Sequence, residues 1–328
     1  MQDRQARARS GLGRVRSHDT GLDTRINVTL AHLRKLEGQA KQFRFLPHQP
    51  GHSVLNGKHT SGLRGRGLDF EEIRGYLPSD DVRSIDWKVT ARTGTPHIRV
   101  FTEERDRPTL LVVDQRMSMF FGSVNNMKSV TAAECAALAA FATYEQGDRI
   151  GGIVFGDVHI TDVKPKRSKA ALNSLLTAIA ESNQKLRADA PTVTPQAFNK
   201  VLEAVAKTAK QNHLVFIFSD FDNIDENTHK ILSSLAKRNE LILGLVTDPY
   251  AQNLPQKTRM VVSDGELQAE INTGSKNIRD RLHEMAQGRV DEILAWQHDL
   301  AALILPLSCA EDSVQQMRKL LGINRIPR

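Results

Sequence analysis

Long hydrophobic runs are missing from this sequence, and so are most of the motifs that mark enzymes. No stretch reaches the ~18 consecutive apolar residues a membrane span needs, and the longest runs, such as Leu110–Val113 and Leu214–Phe218, are strand-length. The N-terminus carries arginines but no apolar h-region, so no secretory signal is expected. Cysteine is scarce: Cys135 and Cys309 lie in apolar surroundings without metal-ligand spacing. They read as small buried hydrophobes in a reducing, cytoplasmic setting. No GxxxxGK[ST] occurs, so the chain has no P-loop of its own. No Ser sits in G-x-S-x-G and Cys135 falls among alanines, which leaves neither nucleophile credible. Gly62, Gly65 and Gly67 do not join a strand to a helix as a dinucleotide fingerprint does. His48, His52 and His59 have a spacing that could ligate a metal, but in a Gly-rich loop they read first as solvated or locally bonded.

A clustered basic face is also lacking. The net charge of +7 is unevenly placed. Residues 1–50 hold ten Lys/Arg against four Asp/Glu, residues 51–108 ten against nine, and residues 109–328 balance at 25 against 25. The basicity belongs to an N-terminal arm, which argues against specific nucleic-acid binding by the main body. Attachment to a membrane surface through the arm would be weak and sensitive to salt.

What is present is alternation. Residues 1–21 read as a basic disordered arm and 22–47 as an amphipathic helix carrying Ile26, Leu30, Leu33 and Leu36 at helical spacing and ended by Pro47. Residues 48–108 read as a small β-rich subdomain with a strand at His97–Phe101. From Thr109 to the C-terminus, short apolar strands alternate with helices: Thr109–Val113, Lys128–Glu145, Arg149–Phe155, Val158–Val163, Lys169–Lys185, Pro195–Lys210, His213–Phe218, Glu226–Lys237, Leu241–Val246, Ser275–Leu300, Ala302–Leu307 and Ala310–Leu320. A hairpin insertion lies near 258–273, turning at Asp264-Gly265. This order predicts an α/β fold with a doubly wound, mainly parallel sheet over 109–328.

In such sheets, ligands sit outside the carboxyl ends of the strands. Asp114-Gln115-Arg116-Met117-Ser118 follows the first strand, Pro191-Thr192-Val193-Thr194 precedes a helix, and Ser219-Asp220-Phe221-Asp222 follows another strand. Short oxygen-bearing side chains converging there suit Mg²⁺. Asp114-x-x-x-Ser118, Thr192-x-Thr194 and Ser219-Asp220 resemble the metal-ion-dependent adhesion site of von Willebrand factor A domains, whose pattern is Asp-x-Ser-x-Ser, then Thr, then Asp. Upstream, Arg64-Gly65-Arg66-Gly67-Leu68-Asp69-Phe70, then Arg74-Gly75-Tyr76-Leu77-Pro78-Ser79-Asp80-Asp81-Val82-Arg83-Ser84-Ile85-Asp86-Trp87-Lys88 and Ala91-Arg92, resembles the signature of bacterial domain-of-unknown-function family 58. In that family the signature precedes a von Willebrand A-like domain. The resemblance covers the chain from about residue 50 onward.

The sequence departs from the metal-site pattern at Arg116, which stands where the pattern has Ser. A fixed charge ~4 Å from a divalent ion, at an effective dielectric of ~20, costs on the order of 8 kcal/mol. Mg²⁺ at Asp114, Ser118, Thr192 and Asp220 therefore requires Arg116 to swing away. Otherwise its guanidinium replaces the metal by bridging Asp114 and Asp220, or it points outward to solvent or a partner. In the signature segment, Arg83, Asp86, Trp87 and Arg92 are candidate partner-binding residues, Trp and Arg being enriched in binding hot spots. The same charges can instead form an ion-pair network pinning the subdomain.

The family resemblance implies a non-enzymatic, cytoplasmic adaptor. Its partner would be a MoxR-type AAA+ ATPase, supplying ATP hydrolysis in trans, in a chaperone-like system that matures an unknown client. The rim around Asp114, Ser118, Thr192 and Asp220 would receive an acidic or polar side chain, with Arg116 or a metal offering positive charge. The competing class is a Mg²⁺- or Mn²⁺-dependent PIN-like nuclease or phosphohydrolase using Asp114, Asp220 and Asp222.

Overall fold

Strands that are apolar on both faces must be covered on both faces, and helices arriving from alternate sides are how this chain covers them. The computed structural model describes residues 23–43, 68–78, 80–103, 107–187, 193, 197–252, 259–263, 268–272 and 276–321. Its first half contains α1 (Leu30–Lys35), α2 (Glu37–Ala40), β1 (Leu68–Gly75), α3 (Trp87–Thr93), β2 (His97–Glu103), β3 (Thr109–Asp114), α4 (Lys128–Glu145), β4 (Ile150–Phe155) and β5 (Ile160–Lys166). Then follow α5 (Lys169–Gln184), α6 (Phe198–Thr208), β6 (Leu214–Ser219), α7 (Glu226–Ala236), β7 (Glu240–Thr247), α8 (Pro249–Gln252), β8 (Arg259–Ser263), β9 (Gln268–Asn272), α9 (Lys276–Leu300), β10 (Leu303–Ser308) and α10 (Ser313–Leu320).

The central sheet has six strands in the order β10-β7-β6-β3-β4-β5. All neighbours are parallel except β5, which runs antiparallel to β4. Numbered by their own chain order, these strands follow the doubly wound sequence 3-2-1-4-5-6, and the switch point lies between β3 and β6. The fold class expected from the alternation is therefore the one observed. β3, β4 and β6 are buried at every position. Alternate side chains feed two cores: Leu111, Val113, Phe216 and Phe218 face α4 and α5, while Leu110, Val112, Val215 and Ile217 face α6, α7 and α9. Alanine dominates α4, which is buried from Ser129 to Thr143; small side chains let this helix lie close over the sheet.

Three expectations are corrected in detail. The single helix over 22–47 is instead α1 and α2, beginning only at Leu30, where the Thr29 hydroxyl caps the His32 amide. The residues before it cannot join the helix, because Val28 gives its N–H to Asn183 Oδ1 and takes the Gln184 side-chain N–H on its carbonyl. Leu33, Leu36, Ala40 and Phe43 complete the core under α4, so this segment is part of the main body. The strand placed at Val158–Val163 begins at Ile160. In the upstream subdomain β1 pairs antiparallel with β2, and between them lies a helix, α3, where none was expected. Asp86 starts it by accepting the Lys88 and Val89 amides, and Gly94, at φ 74°, ends it in the left-handed conformation that only glycine takes freely. β8 and β9 form the expected hairpin. The arm (1–21), the three histidines at 48, 52 and 59, and the Asp264-Gly265 turn lie outside the described residues. Among those described, no helix is long and apolar enough to cross a membrane.

Candidate binding rim

β3 ends at Asp114, at the switch point, where neighbouring loops must diverge and leave a crevice. Both Asp114 oxygens are occupied. Oδ1 accepts the Arg116 backbone N–H at 3.0 Å and its Nε at 3.1 Å. Oδ2 accepts Arg116 Nη2 at 2.7 Å and the Ser219 hydroxyl at 2.6 Å. Arg116 points inward and is only 2% exposed. Its guanidinium carbon lies 5.5 Å from the Phe155 ring centroid and 5.2 Å from that of Phe198, so two aromatic rings flank the charge. Its Nη2 is 3.7 Å from Asp220 Oδ1. The other Asp220 oxygen, Oδ2, accepts Lys128 Nζ at 2.7 Å.

The loop after β6 is shaped by the same side chains. Ser219 Oγ accepts the Phe221 amide and Asp220 Oδ1 accepts the Asp222 amide. Phe221 and Asn223 both adopt positive φ, 51° and 60°, a strained conformation for residues other than glycine. The Phe221 ring is held edge-on between Phe198 and Trp296. This curl turns the Asp222 carbonyl toward the Arg116 guanidinium at 3.4–3.5 Å. The Asp222 carboxylate turns away and receives Arg289 of α9 at 2.6 Å.

Burial pushes the Asp114 carboxyl up, opposed by the charge and hydrogen bonds of Arg116. Burial works against the charge of Arg116 as well, but the Asp114 carboxylate outweighs it and holds the guanidinium above its ordinary value. For Asp220, too, burial acts upward, and the charges of Lys128 and Arg116 more than reverse it, holding this carboxyl below the usual range.

Asp114, Arg116 and Asp220 thus meet in one cluster. Ser118 lies on the short turn Met117–Met119, its hydroxyl buried with no partner among the described residues. Thr192 lies outside the described residues. As placed, Arg116 spends its charge on Asp114 and does not offer it to an incoming acid. Lys128, Arg289, Phe155 and Phe198 were not singled out from sequence. They reach the rim from distant elements with no local motif to flag them. Among the described residues no group of three or more His, Cys, Asp or Glu side chains comes together as a metal site. Burial pushes the thiols of Cys135 and Cys309 up, which makes poor nucleophiles of them.

The candidates of the upstream subdomain stand apart from this rim. Asp86 is buried, caps α3 and receives Arg99 Nε at 2.6 Å; that hydrogen bond holds its carboxyl below the usual range. Arg74 and Asp80 form a two-pronged pair beside it. Trp87 is 67% exposed, and Arg83 and Arg92 are exposed as well.

Residues 72–291 match the family described as Protein of unknown function DUF58. An uncharacterized protein of Mycobacterium tuberculosis is 32% identical over 213 residues, a match that spans 65% of each chain. Among solved structures, the conserved hypothetical protein BatB from Bacteroides thetaiotaomicron aligns at TM-score 0.39 and 12% identity, over 66% of this chain and 99% of that one. The SpRpn10 VWA domain aligns at TM-score 0.35 and 9% identity, over 65% and 94%. The family match covers well over half of the sequence, and the chain belongs to the family Protein of unknown function DUF58.

Proposed function

We propose that this protein is a non-enzymatic binding adaptor whose rim carries protein cations where a von Willebrand A adhesion site carries a divalent ion. The supporting observation is the placement of Arg116: buried, hydrogen-bonded to both Asp114 oxygens and 3.7 Å from Asp220, whose other oxygen holds Lys128. A divalent ion would have to displace a buried guanidinium and then an ammonium. Each positive charge left ~4 Å away would repel it by on the order of 8 kcal/mol at a dielectric of ~20. Of the expected ligands among the described residues, only the Ser118 hydroxyl is left without a partner, and one hydroxyl does not hold Mg²⁺. The donor set as it stands does not suit that ion.

Titration calorimetry tests this. The wild-type protein should give no binding heat at millimolar Mg²⁺, whereas Arg116→Ser combined with Lys128→Ser should gain a Mg²⁺-dependent rise in unfolding temperature. Micromolar Mg²⁺ binding by the wild type, lost in Asp114→Ala, would overturn the reading.

The finer reading, from the family resemblance, is a cytoplasmic partnership with a MoxR-type AAA+ ATPase acting on a client protein. The full chain and such an ATPase from the same cell should associate in sedimentation, and the complex should survive EDTA. The nuclease alternative needs carboxylates free to take metal. Asp114, Asp220 and Asp222 each already hold a cationic side chain. Cleavage of nucleic acid with Mn²⁺ that Asp114→Asn abolishes would replace the adaptor by a hydrolase.

A further inference from the structure

With its central charges paired, the rim has to recognise a partner through something else, and several of the side chains it still exposes are large and apolar. Of the large hydrophobic side chains whose exposure the structure describes, those that are exposed lie in the 68–103 subdomain or in the loops of this rim, apart from Leu294 on α9. The rim set includes Met117, Phe121 and Val124 after β3, Val158 and Ile160 at the β4–β5 turn, and Tyr250 after β7.

Hydrogen bonds tie these loops into one band across the carboxyl end of the sheet. The Met117 amide donates to Asp157 Oδ2, next to Val158. Ser123, between Phe121 and Val124, donates both its amide and its hydroxyl to Asp248, which also accepts the Tyr250 amide. The Asn126 amide donates to the Cys309 carbonyl beyond β10. The band is therefore held on fixed loops that need not order on binding, which limits the entropic cost of docking.

Its unpaired charge leans acidic, although Lys164, Lys185 and Lys200 also stand near it without an ion-pair partner among the described residues. The Arg116–Asp114, Lys128–Asp220 and Arg289–Asp222 pairs cancel. Asp157, Asp162 and Asp225 remain without an ion-pair partner among the described residues, and the stretch Gln115–Met127 adds no charge but Arg116. We propose that this acid-flanked apolar band docks a protein segment that interleaves apolar side chains with lysine or arginine. This is the opposite charge preference from the acidic side chain expected of a metal-bearing rim. The proposal rests on reading the rim as a protein-binding face and names the chemistry of what it binds.

Three fluorescently labelled synthetic peptides of equal length test it by anisotropy against the full chain: an amphipathic Leu/Lys peptide, an amphipathic Leu/Glu peptide and a Ser/Lys peptide without apolar residues. The Leu/Lys peptide should bind at least tenfold more tightly than either of the others. Phe121→Ser combined with Val124→Ser should weaken it at least tenfold, and Asp162→Lys several-fold. Leu294→Ser should leave it unchanged. Phe121 and Val124 are 38% and 48% exposed, so the double variant loses some packing and unfolds at a somewhat lower temperature, and a thermal scan sets the range in which binding is compared on folded protein. Absence of Leu/Lys binding overturns the proposal, as does equal binding of the Leu/Glu peptide or binding indifferent to the double variant. Self-association in sedimentation that the double variant abolishes would make a second copy the occupant and would also overturn it. The Mg²⁺ titration is independent of these outcomes, so failure here leaves the metal-free reading of Arg116 standing or falling on its own.

Discussion

The rim and the 68–103 subdomain each combine acids, bases and apolar groups, yet the rim buries its central charges of both signs while the subdomain leaves most of its cations outside. At the rim the cations Arg116 and Lys128 are drawn inward onto Asp114 and Asp220, and what stays outside is apolar and acidic. In the subdomain Asp86 is drawn inward and Asp80 is half-buried, while Asp81 stays exposed. Asp86 and Asp81 cap turns of helix, Asp80 is clasped by Arg74, and Trp87, Arg83, Lys88 and Arg92 stay outside. The contrast shows why a list of charged residues in a motif says little about function. A side chain spent on the fold's own polar groups is unavailable to a partner.

Removing a buried charge at the rim should produce the largest break in that contrast. Arg116→Ala leaves the Asp114 carboxylate buried with only the Ser219 hydroxyl and the backbone N–H of residue 116 to bond, and loss of one partner of a buried pair costs roughly 3–5 kcal/mol. Denaturant unfolding should show that loss for Arg116→Ala, while Arg92→Ala in the subdomain stays within about 0.5 kcal/mol, as exposed substitutions do. Equal effects would mean that the buried pair adds nothing to stability.

A smaller effect should follow at Asp220, with a definite sign in pH. Its carboxyl is held below the usual range because the charges of Lys128 and Arg116 overcome its burial. A depressed folded-state value contributes stability that is present above the unfolded value of ~3.9 and is lost as pH falls through the folded value. The stability gap between wild type and Asp220→Asn should therefore be full near neutrality and shrink as the pH is taken below ~4, read from unfolding temperatures across a pH series. A gap that widens on acidification would contradict the arrangement.

The doubly wound sheet could be read from the sequence because its signal is local: β3 and β6 are continuous apolar runs, and the helices between them keep their own period. The N-terminal helix was overextended because its true start is decided by Asn183 and Gln184, more than 150 positions away, which claim the Val28 backbone. α3 escaped notice because it is short and charged, and its cap, Asp86, resembles any other acid of the signature. At the rim, Asp-x-Arg in place of Asp-x-Ser flagged Arg116, since both residues share one loop. Lys128 and Arg289 could not be flagged. Each pairs with an aspartate contributed by β6 or its loop, and such pairings exist only once the sheet has brought the elements together.

The smallest expected effect on folding comes with the sharpest expected effect on binding. Trp87 opens α3 but is 67% exposed, and the helix start is fixed by the Asp86 carboxylate on the Lys88 and Val89 amides, not by the indole. Trp87→Ala should therefore change unfolding free energy by no more than about 0.5 kcal/mol. If the subdomain docks a partner through this face, the same substitution should weaken binding to that partner by about 2 kcal/mol or more, the range of an aromatic hot spot. Arg83→Ala and Arg92→Ala, at the edge of that face, should cost less and mainly flatten the loss of affinity with salt. Sedimentation or anisotropy with the intact complex reads all three. A Trp87→Ala protein that keeps full affinity would confine partner recognition to the rim and leave the subdomain's exposed indole without a binding role.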